Sequence, residues 1–237
     1  MSVRFMLKLA GLVIDAGAEY EYSRDFCKEY LCNASSADFS VQSSDVKINP
    51  DFLDVENPPD DFVDSICLLQ AIADKLPLHN AVLCHGAAIS YNGGGYLFMA
   101  PSGVGKSTHI RLWRQHFGER VDIINGDKPI IKLTDEGCYI CSTPWAGKEN
   151  WQKNVSFPLK AICFIGRANG DEPSCDRISG CEERLLRQIY LPREMESAAK
   201  TLELADSICA EVPLYDLKVN ISEDSVKTAF ENIVGNR

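Results

Sequence analysis

The stretch of this 237-residue chain with the most chemical content is Ala100-Pro-Ser-Gly-Val-Gly-Lys-Ser-Thr108. It follows the phosphate-loop pattern G-x-x-x-x-G-K-[ST], with Ala100 standing where the first glycine is usual. The spacing suits a turn in which successive backbone N–H groups, from Ser102 through Gly103, Val104 and Gly105 to Lys106, curl around an anion. Side chains at Gly103 or Gly105 would obstruct that approach. Lys106 then reaches the β- and γ-oxygens of a nucleotide, Ser107 ligates Mg²⁺, and Thr108 completes the cradle. The competing reading is a glycine turn capping a helix, with Lys106 solvated. An apolar strand pattern before the turn and a helical one after it favour the phosphate loop.

A carboxylate follows at a useful distance. Asp127 lies 21 residues beyond Lys106, and one helix plus one return strand fill the gap. An acid there can hold Mg²⁺ or accept a proton from an incoming hydroxyl. By itself Asn125-Gly-Asp127 is an ordinary turn; beside the loop it becomes a site. His85, within an apolar strand pattern, is by default a core histidine. The segment Thr143-Pro-Trp-Ala-Gly-Lys-Glu-Asn-Trp151 is either a surface loop with a buried indole or a substrate loop. In the second case Trp145 covers a substrate, Lys148 contacts a transferring phosphate and Glu149 takes a proton.

Other groups point less clearly to chemistry. Cys138 and Cys141 form a CxxC, yet the sequence between them reads as a strand that turns the two thiols to opposite faces, which argues against zinc. The ten cysteines read as reduced, buried thiols. His109 and His116 fall on one helix with Trp113 between them and read as packing residues. The acidic stretch from Asp51 to Asp61 reads as a solvated loop.

The elements that position these groups follow from pattern. Hydrophobic residues make up 45% of the chain and charged residues 24%, ordinary globular values. The formal charge of −10 argues against nucleic acid or an anionic membrane as partner. Most of that excess falls in residues 1–80, which leaves the rest nearly neutral and able to bind an anion. The N-terminus lacks an uninterrupted apolar run, so the chain reads as cytoplasmic. Strands are expected within 3–16 (with a turn near Gly11), at 39–48, 81–90, 96–100, 121–124, 130–133, 138–141, 159–165 and 214–219. Helices are expected at 20–33, 61–76, 107–117, 182–190, 194–209 and 223–234.

Taken together, Leu83-Cys-His-Gly-Ala-Ala-Ile89, Met99 to Thr108, and Asn125-Gly-Asp-Lys128 resemble the catalytic core of HPr kinase/phosphorylase. Its superfamily includes the phosphoenolpyruvate carboxykinases. The resemblance covers about residues 80–165 and is weaker beyond. It implies an α/β (α+β) fold in which the phosphate loop sits in a largely antiparallel core of residues 81–237, preceded by a small β/α region over 1–80. It also implies ATP and Mg²⁺ as cofactors, Ser107 and Asp127 as metal ligands, and His85 as the group that orients Asp127 or the phosphate. Homo-oligomers occur among such relatives.

One departure matters. The family's acidic pair appears here as Gly126-Asp127, so the general base is Glu149, Asp122 or Asp127 itself. Gly126→Asp is a test of that departure: a strong gain of phosphoryl transfer would mark a degenerate kinase. The signature that grips HPr is absent, which turns the expectation toward a serine-type hydroxyl of a small molecule or peptide. The sequence does not choose among ATP, another triphosphate and pyrophosphate. Two alternatives stand beside the kinase reading. One is a carboxykinase-type enzyme, disfavoured because Arg167 is the only arginine between 121 and 176. The other is a catalytically silent nucleotide- or peptide-binding module.

Overall fold

The computed structural model describes residues 2–48, 57–168, 170 and 172–235, so most of the acidic stretch lies outside the described residues. The chain opens with the hairpin β1 (Val3–Leu9) and β2 (Leu12–Ala18), turned at Ala10 and Gly11, both at positive φ. Strand β3 (Phe39–Gln42) runs parallel to β2 and completes a three-stranded sheet. Between them lie α1 (Glu21–Phe26) and a 3-10 turn at Lys28–Tyr30, not one helix through 33. Strand β3 likewise stops at Gln42, where a 3-10 turn at Ser43–Asp45 takes over.

Helix α2 (Asp60–Lys75) starts after Pro59, which cannot donate to a preceding turn, and carries Asp60 and Asp61 at its positive end. Its buried Asp64 holds this region together. The carboxylate accepts from the hydroxyl of Ser23 at 2.6 Å, the hydroxyl of Ser43, and the backbone N–H groups of Glu19 and Tyr20.

The second sheet contains β4 (Ala81–Leu83), β5 (Ala87–Tyr91), β6 (Gly94–Met99), β7 (Val121–Asn125), β8 (Ile130–Thr134), β9 (Gly137–Cys141), β10 (Ser156–Arg167), β11 (Ser174–Ile178) and β12 (Leu214–Val219). Its main path runs β4-β8-β9-β10-β6-β5-β7, while β12 pairs with both β10 and β11. Helices α3 (Lys106–Phe117), α4 (Glu182–Leu186), α5 (Met195–Glu211) and α6 (Glu223–Ile233) cover it. The result is a mixed α/β fold with a curled mixed sheet. Among the described residues antiparallel ladders predominate, but β6–β10 and β10–β12 are parallel.

Alternation along the central strands divides the interior. Ala87, Ile89, Tyr96 and Phe98 join Ile110 and Trp113 of α3 and Val226 of α6 in one core. Ala88, Leu97 and Met99 face Leu204 and Ile208 of α5 in another. Both faces are covered, which explains why β5 and β6 read as continuous apolar runs. On β9, Cys138 joins the second of these cores, whereas Cys141 faces a third with the N-terminal hairpin and α2, so the two thiols point opposite ways.

Two further expectations about elements need correction, and one strand was not anticipated. The strand expected at 81–90 is two, because at Cys84-His85-Gly86 the chain leaves β4, which pairs with β8, and re-enters the same sheet as β5 between β6 and β7. There the backbone N–H groups bond outside the strand, to the carbonyls of Pro129, Gln188 and Asp127. His85 is therefore a hinge residue rather than a strand-interior one. The helix expected to 190 ends at Leu186, after which Ile189 bridges to Cys84. Strand β11 gave no apolar alternation in Ser-Cys-Asp-Arg-Ile, and partnership with β12 alone makes it.

The topology directs several chain ends to one edge. Strands β6, β10 and β12 are parallel, and β7 shares their direction because both β6 and β7 run antiparallel to β5. Their C-terminal ends release Pro101–Gly105, Ala168, Asn220 and Gly126-Asp127 together, the edge where open α/β sheets hold ligands.

The N-terminal region meets this edge through Tyr30. Its buried hydroxyl lies 2.7 Å from Ser142 Oγ and donates to Gln152 Oε1 at 2.6 Å. Among the described residues no helix is long and apolar enough to cross a membrane. Tyr30→Phe is expected to lower stability by about 1–3 kcal/mol, because it leaves buried polar partners unsatisfied. An unchanged denaturant midpoint would contradict this role.

Candidate active site

The loop between β6 and α3 takes its shape from two glycines, Gly103 at φ 76° and Gly105 at φ 121°. A Cβ on either would point into open space, so the backbone conformation, not crowding within the chain, requires glycine. Lys106 is 8% exposed, and its ammonium donates to the Ala100 carbonyl at 2.7 Å. From the end of β10, the Arg167 guanidinium donates to the Gly103 carbonyl at 3.0 Å and braces the loop. In the sequence Arg167 stands out only for the scarcity of arginines around it.

Asp127 stands across from this loop. His85 Nε2 lies 3.3 Å from its Oδ1, and the Lys128 ammonium pairs with Oδ2. Gly86 N–H also donates to the Asp127 carbonyl at 2.9 Å, so the hinge at 84–86 fixes both backbone and side chain. Burial pushes the Asp127 carboxyl upward, but the His85 hydrogen bond and the charge of Lys128 outweigh it. The result is about 2 against an ordinary 3.8. The group is therefore an anion throughout the neutral range.

The turn that presents Asp127 is built on a residue with little in its sequence context to single it out. Asn125 is fully buried; its Oδ1 accepts from the backbone N–H of Asp127 and of Lys128, both at 2.8 Å. Its Nδ2 donates to the carbonyl and hydroxyl oxygens of Thr143, and that hydroxyl donates to the Lys128 carbonyl at 2.7 Å. One amide thus ties the Asp127 turn to the 143–149 loop. The only sequence signal was the turn preference of Asn-Gly-Asp.

A cleft of about 290 Å³ is lined by His85, Ser102, Gly103, Gly105, Lys106, Ser107, Thr108, Gly126, Asp127, Gly147, Lys148 and Glu149. It unites nearly all the residues singled out from sequence, with Lys148 and Glu149 at its exposed mouth. Val104 falls on the other flank of the loop, where Thr108, Leu112, Ala168, Val219 and Ile221 line a larger cavity of about 390 Å³. Trp145 does not line the cleft. It is 4% exposed and donates its indole N–H to the Ser65 carbonyl of α2 at 3.1 Å. Asp122 also lies outside, paired at 3.3 Å with Lys153. His109 accepts from the Trp113 indole at 2.9 Å, and burial lowers its pKa to about 3, as suits a packing residue.

The Gly126→Asp test meets a steric barrier. A Cβ there would sit 2.7 Å from the Ala146 carbonyl oxygen, and backbone cannot swing aside as a side chain would. The loop that carries Lys148 occupies the space a second carboxylate would need.

No family model matches this sequence, and no curated protein matches it. Among solved structures, the Hpr(Ser) kinase/phosphatase from Coxiella burnetii matches with a TM-score of 0.39 and 10% identity, over 65% of this chain and 88% of that one. A likeness at that level carries no functional assignment, and the chemistry must be read from the site.

Asn125→Ala is expected to cost about 1–3 kcal/mol through orphaned backbone donors, with larger losses in the order of Lys148 and Glu149. Thermal unfolding and hydrogen exchange at Asp127 and Lys128 check this; protection unchanged from wild type would contradict it. The depressed pKa gives a second expectation. The stabilisation from ionised Asp127 is complete above its ordinary value and is lost as pH falls through about 2. Carboxyl NMR should find Asp127 still ionised near pH 3, at about the lower edge of the usual range. His85→Ala should raise the titration point.

Proposed function

We propose that this chain is an ATP- and Mg²⁺-dependent phosphotransferase acting on a hydroxyl group. One observation carries the reading. The glycine loop, Lys106, Ser107 and the persistently ionised Asp127 line a single cleft at the ends of like-directed strands. Backbone N–H groups at the head of α3, on a loop opened by Gly103 and Gly105, suit an anion. The apolar cavity on the far flank, with Val104, Leu112, Val219 and Ile221, suits the base and ribose of a nucleotide whose phosphates lie on the loop.

The residues fit Mg²⁺. Ser107 and Asp127 are hard oxygen donors in the same cleft, and Asp127 stays charged. Among the described residues no cluster of three His, Cys, Asp or Glu forms a complete cage. Mg²⁺ in nucleotide sites needs none, since substrate phosphates and water supply most ligands. When bound there it would draw negative charge off the phosphates.

The chain's own groups account for the rest. Lys106 neutralises the transferring group, and Arg167 holds the loop in register. Asp127, fixed by His85, orients the acceptor hydroxyl. The acceptor oxygen bonds to the γ-phosphorus as the bond from that phosphorus to the β,γ-bridging oxygen breaks. The electron pair leaves on the nucleoside diphosphate, and the hydroxyl proton passes by way of Asp127 to solvent. Such transfer depends mainly on positioning and charge stabilisation, so a weakly basic carboxylate suffices.

A second reading, a silent nucleotide-binding module, is favoured by one fact: backbone closes the space beside Gly126. Binding and turnover separate the two. MgATP at a hundredfold excess over its Kd should stabilise the protein by about 2.7 kcal/mol. Lys106→Ala should abolish that shift, while Asp127→Asn should lower nucleotide consumption at least about a hundredfold. Magnesium with GTP or pyrophosphate serves as the comparison. A Lys106→Ala protein that still responds to MgATP, or no response to any of the three, would sink the phosphate-site assignment. Binding with no transferred product would support the silent module.

A further inference from the structure

A second cavity opens directly behind Asp127. It has a volume of about 220 Å³ and is lined by Phe26, Phe62, Ile66 and Leu69 from the N-terminal region, and by Trp145, Ala146, Asp127, Lys128, Gly147 and Lys148. Asp127, Gly147 and Lys148 also border the phosphate cleft, so the two spaces share a wall of these three residues. We infer that this cavity holds the body of the phosphoryl acceptor, and that the acceptor is a neutral alcohol carrying a compact apolar body.

The walls select for that chemistry. Trp145 spends its only donor on the Ser65 carbonyl, so the indole offers the cavity apolar surface alone. Phe26 stands beside it with ring centroids 6.0 Å apart, forming a fixed aromatic wall. Ile66 and Leu69 are anchored in α2 and face no polar group of their own to this space. The charged side chains in the lining are Asp127 and Lys128, which pair, and Lys148.

A molecule seated here buries its apolar part against α2 and the indole and turns its hydroxyl to Asp127, the side from which the phosphoryl group arrives. A sugar or glycerol would set several hydroxyls against Phe26, Phe62, Ile66, Leu69 and Trp145, side chains that offer no partner, at a cost per group that disfavours it. The volume equals that of about seven waters, the scale of a single ring and not of a lipid chain. The N-terminal region, which lies outside the nucleotide cleft, thereby acquires a role: it supplies the acceptor-specificity wall.

The inference rests on the phosphotransferase reading, and the test keeps the two apart. Purified full-length protein with MgATP is offered 2-phenylethanol, cyclohexylmethanol, glycerol or glucose. The phosphate ester is detected by mass spectrometry, and binding is followed by Trp fluorescence. The two apolar alcohols should yield ester together with ADP and a proton, and the polyols should not. Ile66→Trp fills the cavity and should reduce ester formation about tenfold or more, while the MgATP thermal shift reports that the nucleotide site is intact. Should Ile66→Trp misfold, Phe62→Glu, at a partly exposed position in the first turn of α2, sets a charge at the cavity and should give the same loss.

Equal or better transfer to glycerol or glucose overturns the inference and leaves the phosphotransferase standing. So does unchanged transfer in a folded Ile66→Trp or Phe62→Glu protein. Alcohols that bind but are never phosphorylated overturn the acceptor role, whatever the Lys106→Ala comparison says of nucleotide.

Discussion

The side-chain amide of Asn125 is the contact on which the site's geometry depends. It is a buried primary amide with both ends used. The oxygen gathers two consecutive backbone N–H groups into a tight turn, and the nitrogen fastens that turn to Thr143. In a low-dielectric interior such a fully satisfied network is rigid, and losing one member strands several others. The carboxylate that faces the glycine loop is therefore positioned by backbone rather than by its own rotamer. His85 and Lys128 then set its charge state. The depressed pKa is a product of architecture: the break at residues 84–86, between β4 and β5, sets an imidazole beside an acid that follows β7.

The glycine loop was legible because its chemistry demands local sequence, glycine at the positive-φ positions and lysine at the helix start. The spacing from Lys106 to Asp127 was legible too, since one helix and one strand consume a predictable length of chain. What escaped the sequence were contacts between distant segments. Asn125 looks like any turn asparagine until Thr143 is beside it. Arg167 is an isolated basic residue until parallel pairing of β10 with β6 brings it to Gly103. Strand β11 has no apolar alternation and owes its state to β12. The break at His85 was hidden because both halves, Ala81–Leu83 and Ala87–Tyr91, are buried and apolar, and no periodicity distinguishes one long buried strand from two short ones.

The N-terminal region illustrates the same limit. Its acidic character and separate sheet suggest an appendage. Yet its hydrophobic cluster runs on through Leu83, Ile130, Cys141 and Trp145, and Tyr30 anchors it to the loop that borders the cleft. Of the two readings the sequence left open for Trp145, substrate cover or buried indole, the structure has the buried one, pinned between α2 and that loop. Its buried indole carries the coupling between the two halves of the molecule.

The closeness of residue 126 to the Ala146 carbonyl has an evolutionary consequence. A one-acid site here is enforced by main chain, so no single codon change converts it to a two-acid site without first rerouting the segment that follows Trp145. The route between the two chemistries passes through a rebuilt loop. On the phosphotransferase reading proposed above, change along the apolar wall would need less rebuilding than a second acid beside Asp127, so new specificity would be an easier inheritance than new catalytic machinery.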